Sequence, residues 1–409
     1  MTTFIENRWQ RKPLGDVADV ISGYAFKSSE FGNRGIPVIK IKNIRIGAVD
    51  LTGADRVDEK YLAIPERYHV KEGDILISLT GSHISQPNSV VGRVARHSPG
   101  LPKCLLNQRG GKVIVRDRSK CDLSFLFYAL SEPETVRAIA MKAHGAANQA
   151  NVSPTQVESI EIPIPPFPVQ LRIASILSAY DELMENSQRR IQILDAMART
   201  LYRECIKEAG NTDSTKSVLE TDYWKFIFAN VSPYEGTKRY YATADVAGLI
   251  IDGSGIDYTF SEKPSRAQKQ PTPFSVWFAR MKDTFKIAWY SNINSDSAEA
   301  SILSSGFAGF QASEPVFFPL LFLTVSSQEF HAQKNLFCTG ATQMALTNEG
   351  LSKIQMPVPS ETAARQFGKH ALPLLNQMLL LQLRIQNLRR TRDLLLPRLL
   401  SGQIKLAEN

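Results

Sequence analysis

The sequence has few of the residues that build metal sites and disulfide frameworks. Among 409 residues there are 6 histidines and 4 cysteines, and the cysteines form no C-x-x-C pair. This spacing argues against a structural zinc site or a disulfide framework and favours a reducing compartment. Apolar runs of membrane-spanning length are missing, and the segment 1–6 lacks the basic and hydrophobic parts of a signal peptide. We therefore expect a cytoplasmic protein with no membrane association.

Common catalytic motifs are also missing. Gly111-Lys112 and Gly368-Lys369 are not followed by Ser or Thr, so neither forms a phosphate-binding P-loop, and no Glu-x-Lys occurs. The segment 164–167 resembles the motif of amino-methyltransferases but begins with Ile164, which cannot hold a target amine. No glycine-rich loop has the spacing of a dinucleotide cradle. The chain is therefore expected to bind no cofactor or metal and to have no catalytic residues.

The charge is moderately positive. Lys and Arg number 48 against 40 for Asp and Glu, a net charge of +8 with a pI of about 9.2. Such an excess favours a polyanionic partner such as nucleic acid, the alternative being that it serves solubility alone.

A repeat about 194 residues long is the most informative feature present. Asn148 to Pro165 is answered by a segment from Gln343 to Pro359, and Arg190-Ile-Gln-Ile-Leu is answered by Arg384-Ile-Gln-Asn-Leu. The offsets agree, since 357 − 163 = 194 and 384 − 190 = 194. Two separated matches in one register predict a duplication of large units rather than a solenoid.

Each half ends in a proline-rich strand followed by a long heptad helix. Apolar residues recur at alternating spacings of four and three, which is typical of a coiled-coil seam. Ser187 is the clearly polar member of the first seam and Arg392 the charged member of the second. We expect the two helices to pair as an intramolecular antiparallel coiled coil, the alternative being that each packs on its own domain. The seams are Ile173, Leu177, Tyr180, Met184, Ser187, Ile191, Leu194, Ala198, Leu201 and Cys205, then Phe367, Ala371, Leu374, Met378, Leu381, Ile385, Leu388, Arg392, Leu395 and Leu399.

The predicted fold class is α+β, with two similar globular domains, two long helices and pseudo-twofold symmetry. The domains are predicted at 1–165 and 209–358, with spacer helices at 166–208 and 359–409. In the second domain, 275–280 and 286–290 replace the strand pair of the first, and 319–323 replaces its helix 123–130. Pro373 and Pro397 predict kinks or fraying in the second long helix.

Four segments resemble the specificity subunits of Type I restriction-modification enzymes. They are 14–20 (LGDVADV), 73–78 (GDILIS), 163–170 (PIPPFPVQ) and 391–404 (TRDLLLPRLLSGQI), and they occur in the family's order. The second domain departs from the pattern: Ala244-Asp245-Val246 echoes the opening segment, but no Gly-Asp-Ile-Leu strand is present.

The resemblance implies a non-catalytic DNA-recognition subunit in which two target recognition domains read a split sequence on double-stranded DNA. It also implies two methyltransferase subunits and two restriction (translocase) subunits as partners, with S-adenosylmethionine and ATP bound only there. The seam from Ile173 to Cys205 would be roughly 48 Å long at about 1.5 Å per residue. The helices would then set the gap between the half-sites. Competing hypotheses are a two-domain coiled-coil DNA-modifying enzyme and a protein-interaction scaffold.

The candidate DNA-binding residues are polar or cationic side chains near strand ends, which suit base edges and phosphates. The competing reading is that such residues close turns or form a solvated face. In the first domain they are Lys40, Lys42, Asn43, Ser82, His83, Ser85, Gln86, Asn148 and Gln149 for bases, with Arg93, Arg96 and Arg109 for phosphates. In the second they are Arg266, Lys269, Lys282, Asn292, Asn294 and Gln343.

Overall fold

The computed structural model describes residues 9–82, 90–146, 149–209, 215–341, 343–404 and 406. Its contacts divide the chain into two compact units: unit 1 is 1–183 with 388–409, and unit 2 is 184–387. The divisions fall inside the two long helices and not at their ends. Each unit therefore contains a part of both helices.

Unit 1 is built on short strands, many of them fully buried. The chain crosses the unit and returns beside its starting point, since the first strand pairs antiparallel with the last. The strands are β1 (Arg11–Pro13), β2 (Ala18–Ser22), β3 (Ile36–Ile39), β4 (Gly47–Ala48), β5 (Arg56–Val57), β6 (His69–Val70), β7 (Ile75–Ser78), β8 (Thr80–Gly81), β9 (Val94–Arg96), β10 (Cys104–Leu106), β11 (Gly110–Val115), β12 (His144–Ala146), β13 (Gln149–Asn151) and β14 (Glu161–Pro163).

These strands form a five-stranded sheet in the order β2-β11-β7-β9-β4 and a four-stranded sheet in the order β5-β3-β10-β6. A third sheet has the order β12-β13-β8. All four residues of β7 are buried, as expected for a central strand covered on both faces.

The core of unit 1 lies between the five-stranded sheet and its helices. These are α1 (Leu123–Ser131), α2 (Pro133–Met141), α3 (Pro154–Glu158) and the first part of α4 (Phe167–Ala209). The carboxylate of Asp122 accepts the Phe125 amide at 2.7 Å and so caps α1. Ile173 and Leu177 of α4 join this core.

Unit 2 repeats the arrangement with different side chains. Its strands are β15 (Thr215–Ser217), β16 (Trp224–Phe226), β17 (Lys238–Tyr241), β18 (Val246–Ala247), β19 (Ile250–Ile251), β20 (Ile256–Tyr258), β21 (Ala267–Lys269), β22 (Ser275–Ala279), β23 (Ile287–Tyr290), β24 (Ser301–Ser304), β25 (Phe307–Ala312), β26 (Cys338–Thr339), β27 (Ala345–Leu346) and β28 (Gln355–Pro357). Its helices are α5 (Ser295–Glu299), α6 (Phe318–Val325), α7 (Gln328–Leu336), α8 (Asn348–Ser352) and the first part of α9 (Glu361–Leu400).

The sheets of unit 2 match those of unit 1 in strand order and direction. The order β16-β25-β22-β23 corresponds to β2-β11-β7-β9, and β20-β17-β24-β21 corresponds to β5-β3-β10-β6. In the second of these sheets β17 and β24 are parallel, as are β3 and β10. The predicted duplication is therefore present in the fold, including β22 and β23 in place of the strand pair and α6 in place of α1.

The core of unit 2 is more aromatic. All eight residues of α6 are buried, and Trp289 packs on Phe318 and Phe322 with ring centroids 6.3 and 4.7 Å apart. Ile191 and Ala198 of α4 belong to the same core as Phe367 and Leu381 of α9.

The heptad seams are confirmed. None of the twenty seam residues is exposed. The helices are antiparallel: Tyr202 of α4 meets Phe367 of α9 in unit 2, whereas Asp181 of α4 meets Arg392 of α9 in unit 1. Helix α9 continues through Pro373 and ends three residues after Pro397.

The charged seam residue Arg392 belongs to a polar cluster in unit 1. Its guanidinium lies 2.7 Å from Asp181 Oδ1, and the Tyr128 hydroxyl donates to Asp181 Oδ2 at 2.6 Å. Arg96 adds a second guanidinium 3.8 Å from Asp181 and lies over the rings of Phe127 and Tyr128. Burial and the neighbouring Asp181 carboxylate raise the pKa of Tyr128, which keeps its hydroxyl protonated as a donor.

Unit 2 fills the corresponding place with apolar side chains. Adding 194 to 181 gives Leu375, and subtracting 194 from 392 gives Ala198. Both are 0% exposed and lie in the core of unit 2. The repeat thus has an ionic pair in unit 1 and buried apolar residues at the equivalent positions of unit 2.

Candidate nucleic-acid interface

In unit 1 two candidate residues lie at the end of the third sheet. Gly81 of β8 pairs with Ala150 of β13 in an antiparallel ladder, so Ser82, which follows Gly81, and Gln149, which precedes Ala150, lie at the same end of this ladder. The Gln149 side chain is exposed. Two candidate residues that are far apart in sequence are thus brought together. His83, Ser85, Gln86 and Asn148 lie outside the described residues.

Unit 2 brings its corresponding loops together in the same way. Met281 pairs with Ala345, and the Lys282 amide donates to the Met344 carbonyl at 3.0 Å. Gln343 is exposed and its amide lies 3.7 Å from the Met281 sulfur. Lys282 and Gln343, both predicted, therefore share one surface.

The two hairpins that carry these glutamines each contain a glycine in the same backbone region. Gly145 and Gly340 have φ of +139° and +131°, a region that favours glycine. A Cβ at either position would collide with the carbonyl oxygen of Gln149 or Gln343. Both hairpins therefore require glycine, and Gln149 and Gln343 have equivalent backbone positions in their units.

A cationic and aromatic surface flanks the unit 2 loops. Arg280 donates to the Leu346 carbonyl and to Asn348 Oδ1, both at 2.8 Å, and lies 5.9 Å from the Phe226 ring. Lys269 donates to Asn230 Oδ1 at 3.0 Å. Burial, and then repulsion from Arg280, lowers the pKa of Lys269. Within the described part of the chain, neither cation forms an ion pair with a carboxylate, so this surface attracts anions.

Sequence reasoning did not select Arg280. The available signal was its position directly after β22, a strand whose five residues are all buried. A charged residue directly after a buried strand is expected to lie outside the core, at the end of the sheet. In this chain that end of the sheet lies beside the unit 2 loops.

Cations also gather near the edge strand β4 in unit 1. Lys40 and Lys42 each place Nζ 3.0 Å from Asp55 Oδ2, and hydrogen bonds from Lys40 and then Lys42 lower the pKa of that carboxyl. Arg93 donates weakly to the Ile44 carbonyl, and burial followed by repulsion from Arg45 lowers its pKa. Two lysines share one carboxylate here, which leaves positive charge for a phosphate.

Two predicted asparagines are used within the fold. Asn43 is 1% exposed; its Oδ1 accepts the Lys40 amide at 3.1 Å and its amide donates to the Asp50 carbonyl at 2.8 Å. Asn294 accepts the Ser291 amide and donates to the Trp289 carbonyl. Each closes a turn. The burial of Asn43 contradicts its predicted contact with DNA, whereas Asn294 is only partly buried and its contact with DNA stays a prediction.

The other candidates fall into two groups. Arg96 is engaged in the polar cluster of unit 1, where it positions neighbouring groups. Arg109, Arg266 and Asn292 are exposed at turns or a helix start and remain predictions for DNA contact.

Other kinds of site are not indicated. Across the described residues no three His, Cys, Asp or Glu side chains are grouped to hold a metal ion. In the same part of the chain, no helix combines the length and apolar character needed to cross a membrane.

Comparison with known proteins identifies what this arrangement resembles. Residues 6–195 match the family of the Type I restriction modification DNA specificity domain. The chain is 25% identical to the type I restriction enzyme EcoBI specificity subunit of Escherichia coli, over 54% of the chain and 44% of that protein. It is 20% identical to the MjaIX specificity subunit of Methanocaldococcus jannaschii, over 99% and 95%. For most curated relatives, however, the match spans about half of their length or less.

A solved structure extends the likeness to the whole fold. The S subunit of a Type-I restriction-modification system from M. genitalium aligns with a TM-score of 0.59 and 17% identity, covering 98% of both chains. At this identity the agreement shows a shared fold. The chain is therefore similar to the specificity subunits of Type I restriction-modification enzymes, and residues 6–195 are the part that matches the family's DNA specificity domain.

Proposed function

We propose that the chain is the DNA-recognition subunit of a Type I restriction-modification system and reads a bipartite site, one part with each unit. The observation that carries this proposal is the repeated pair of loops. Both units place a glycine-dependent hairpin with an exposed glutamine beside the end of a buried strand. Each unit thus exposes a glutamine at an equivalent position, but the side chains around the glutamine differ between the units. This arrangement suits two half-sites of different sequence.

The side chains suit the two kinds of contact that such recognition needs. Glutamine reads base edges through its amide, and serine can do the same through its hydroxyl. Lysine and arginine neutralise phosphates and fix the register on the duplex without reading sequence. Gln149 and Ser82 in unit 1, and Gln343 in unit 2, are proposed for bases. Lys282 and Arg280 are proposed for the backbone.

Catalysis is assigned to partner subunits. Two methyltransferase subunits would supply S-adenosylmethionine-dependent methylation, and two restriction subunits would supply ATP-driven translocation and cleavage. The names of the relatives as specificity subunits and the missing catalytic motifs support this division. A role on DNA also agrees with the cytoplasmic location expected from the sequence.

Footprinting tests the recognition role. The full chain, alone or with its methyltransferase partner, should protect two short sequence-dependent patches separated by a gap whose sequence is irrelevant. Retention on DNA should weaken steeply with salt, because lysine and arginine release counterions from phosphates. One continuous footprint with sequence dependence throughout would contradict the proposal.

Methyl transfer tests the division of labour. The isolated chain should transfer no methyl group from radiolabelled S-adenosylmethionine to DNA, whereas addition of the methyltransferase subunit should give site-specific adenine methylation. The methyltransferase without this chain is the control and should lack the specificity. Methylation by this chain alone, after exclusion of contaminating enzyme, would refute the assignment.

A further inference from the structure

A fully buried lysine lies beneath the cationic turn of unit 2. Lys334 of α7 is 0% exposed. Its ammonium donates to the carbonyl oxygens of Thr284 at 2.7 Å, Met281 at 2.9 Å and Ala279 at 3.4 Å. Ala279 is the last residue of β22, and Met281 and Thr284 belong to the connection between β22 and β23.

The geometry requires the charged form of this lysine. An ammonium has three donors and no acceptor, so it matches three converging carbonyl oxygens, whereas a neutral amine would point a lone pair at one of them. A buried cation is tolerated only when its donors are satisfied. Burial lowers the pKa of Lys334, and burial followed by repulsion from Lys334 lowers the pKa of the neighbouring His331 to about 4.

The next residue of α7 completes the attachment. Asn335 Oδ1 accepts the Asp283 amide at 3.0 Å, and its own amide donates to Asp283 Oδ1 at 3.1 Å. Asp283 has φ of +54°, a conformation that costs free energy for a non-glycine residue and persists only when its surroundings hold it. Two consecutive side chains of one helix therefore fix this turn.

The fixed turn, Arg280–Thr284, carries two of the cations proposed to contact DNA. Arg280 and Lys282 both contact the hairpin that bears Gln343: the Arg280 guanidinium donates to the Leu346 carbonyl, and the Lys282 amide donates to the Met344 carbonyl. A shift of the turn would therefore move the phosphate contacts and the base-reading loop together.

Unit 1 has no counterpart of the lysine. Lys334 is the seventh residue of α7, and the seventh residue of α2, its equivalent, is the buried Ile139. The attachment is thus specific to one half of the repeat, which allows its effect to be measured against the other half.

We propose that Lys334 is a positioning residue for DNA recognition by unit 2: its ammonium holds the Arg280–Thr284 turn in the conformation that reads one half-site. The proposal rests on the proposed function, because it assigns a role within that recognition. It predicts that loss of the ammonium changes discrimination at one half-site and not at the other.

The test uses the full chain assembled with its methyltransferase partner and compares Lys334→Met with Lys353→Met. Lys353 is an exposed lysine of unit 2 whose only ion pair is with Glu349 within the described chain, so its replacement removes the same charge without touching the turn. Methylation rates are measured on DNA with single base changes in either half-site. Lys334→Met should lower discrimination at the unit 2 half-site at least tenfold and leave the other half-site within twofold. Lys353→Met should leave both unchanged.

A second variant and a second readout cover loss of folding. Asn335→Ala removes only the attachment of Asp283 and should lower discrimination at the same half-site by a smaller factor. Amide hydrogen exchange in the turn should accelerate in both variants while exchange in α6 stays slow. Unchanged discrimination in a folded Lys334→Met complex, or an equal loss at both half-sites, would overturn this proposal alone. A wild-type complex without two-part recognition would overturn the proposed function as well.

Discussion

Removing both partners of the ionic contact between the long helices in unit 1 should cost about as much as removing one of them. Asp181 and Arg392 have side-chain exposures of 21% and 27%, so their contact lies between surface and buried pairs. Exposed pairs contribute up to about 1 kcal/mol, whereas removing one partner of a buried pair costs about 3–5 kcal/mol. For this half-buried pair we expect Arg392→Ala to cost about 2 kcal/mol.

The reverse replacement, Asp181→Leu, should cost slightly more. It leaves Arg392 with the neighbouring Asp393, 2.8 Å away, but it removes the acceptor of the Tyr128 hydroxyl. An orphaned buried hydroxyl adds about 1 kcal/mol or more, so we expect about 3 kcal/mol in total.

The double variant Asp181→Leu with Arg392→Ala installs in unit 1 the pair that unit 2 uses, Leu375 and Ala198. No charge is then left unpaired, and the remaining cost is the Tyr128 hydroxyl and lost packing of the arginine stem. We expect about 2–3 kcal/mol for the double variant, and therefore a coupling of about 2 kcal/mol between the two sites.

The assay is urea denaturation of all four proteins, followed through the hydrogen exchange of α1 amides so that the signal reports unit 1. The pair Asp19 and Arg116, bonded at 2.6 Å but half exposed, supplies a control cycle that should show weaker coupling. Strictly additive single variants at 181 and 392 would refute the reasoning.

Three further predictions concern DNA. Gln149→Ala should relax discrimination at one half-site and Gln343→Ala at the other, measured by methylation of substituted sites; identical effects would contradict separate reading. Lys282→Met should reduce the slope of log binding constant against log salt by about 0.9, the value for one phosphate, with little change in discrimination. Inserting one heptad near Ile191 and one near Ile385 should lengthen the preferred gap by a few base pairs, since seven residues add about 10 Å; an unchanged gap in a folded protein would exclude the helices as the spacer.

The long helices could be predicted because heptad spacing is a local signal. Every seam position found in the sequence is at least partly buried, and even Ser187, the polar member of the first seam, is 3% exposed. The partner of Arg392 was not predictable in the same way. Asp181 lies off the seam, and only the antiparallel register of the two helices brings it to Arg392.

The sheets and loops show where local pattern fails. The second domain lacks the Gly-Asp-Ile-Leu segment, yet β22 occupies the same place, because burial on both faces sets the strand and not a particular motif. Asn43 and Asn294 were predicted to face DNA, but an asparagine near a strand end can also close a turn on its own backbone. Sequence alone does not distinguish these uses.

The pairing of β1 with β14 in unit 1 and of β15 with β28 in unit 2 means that each globular part enters and leaves at one point. Arg11 lies beside Pro163 and Thr215 beside Pro357. Whatever lies between these strands can lengthen, shorten or diverge without displacing the helix that follows. The offsets between the two halves of the repeat agree with such freedom. The exit strands β14 and β28 are 194 residues apart. The residues that pair with Asn151 and Ala345, which are Thr80 and Met281, are 281 − 80 = 201 residues apart, so the segments between the closing strands differ in length. Two closures of this kind would let the surfaces proposed to contact DNA differ between the units while the long helices keep their places.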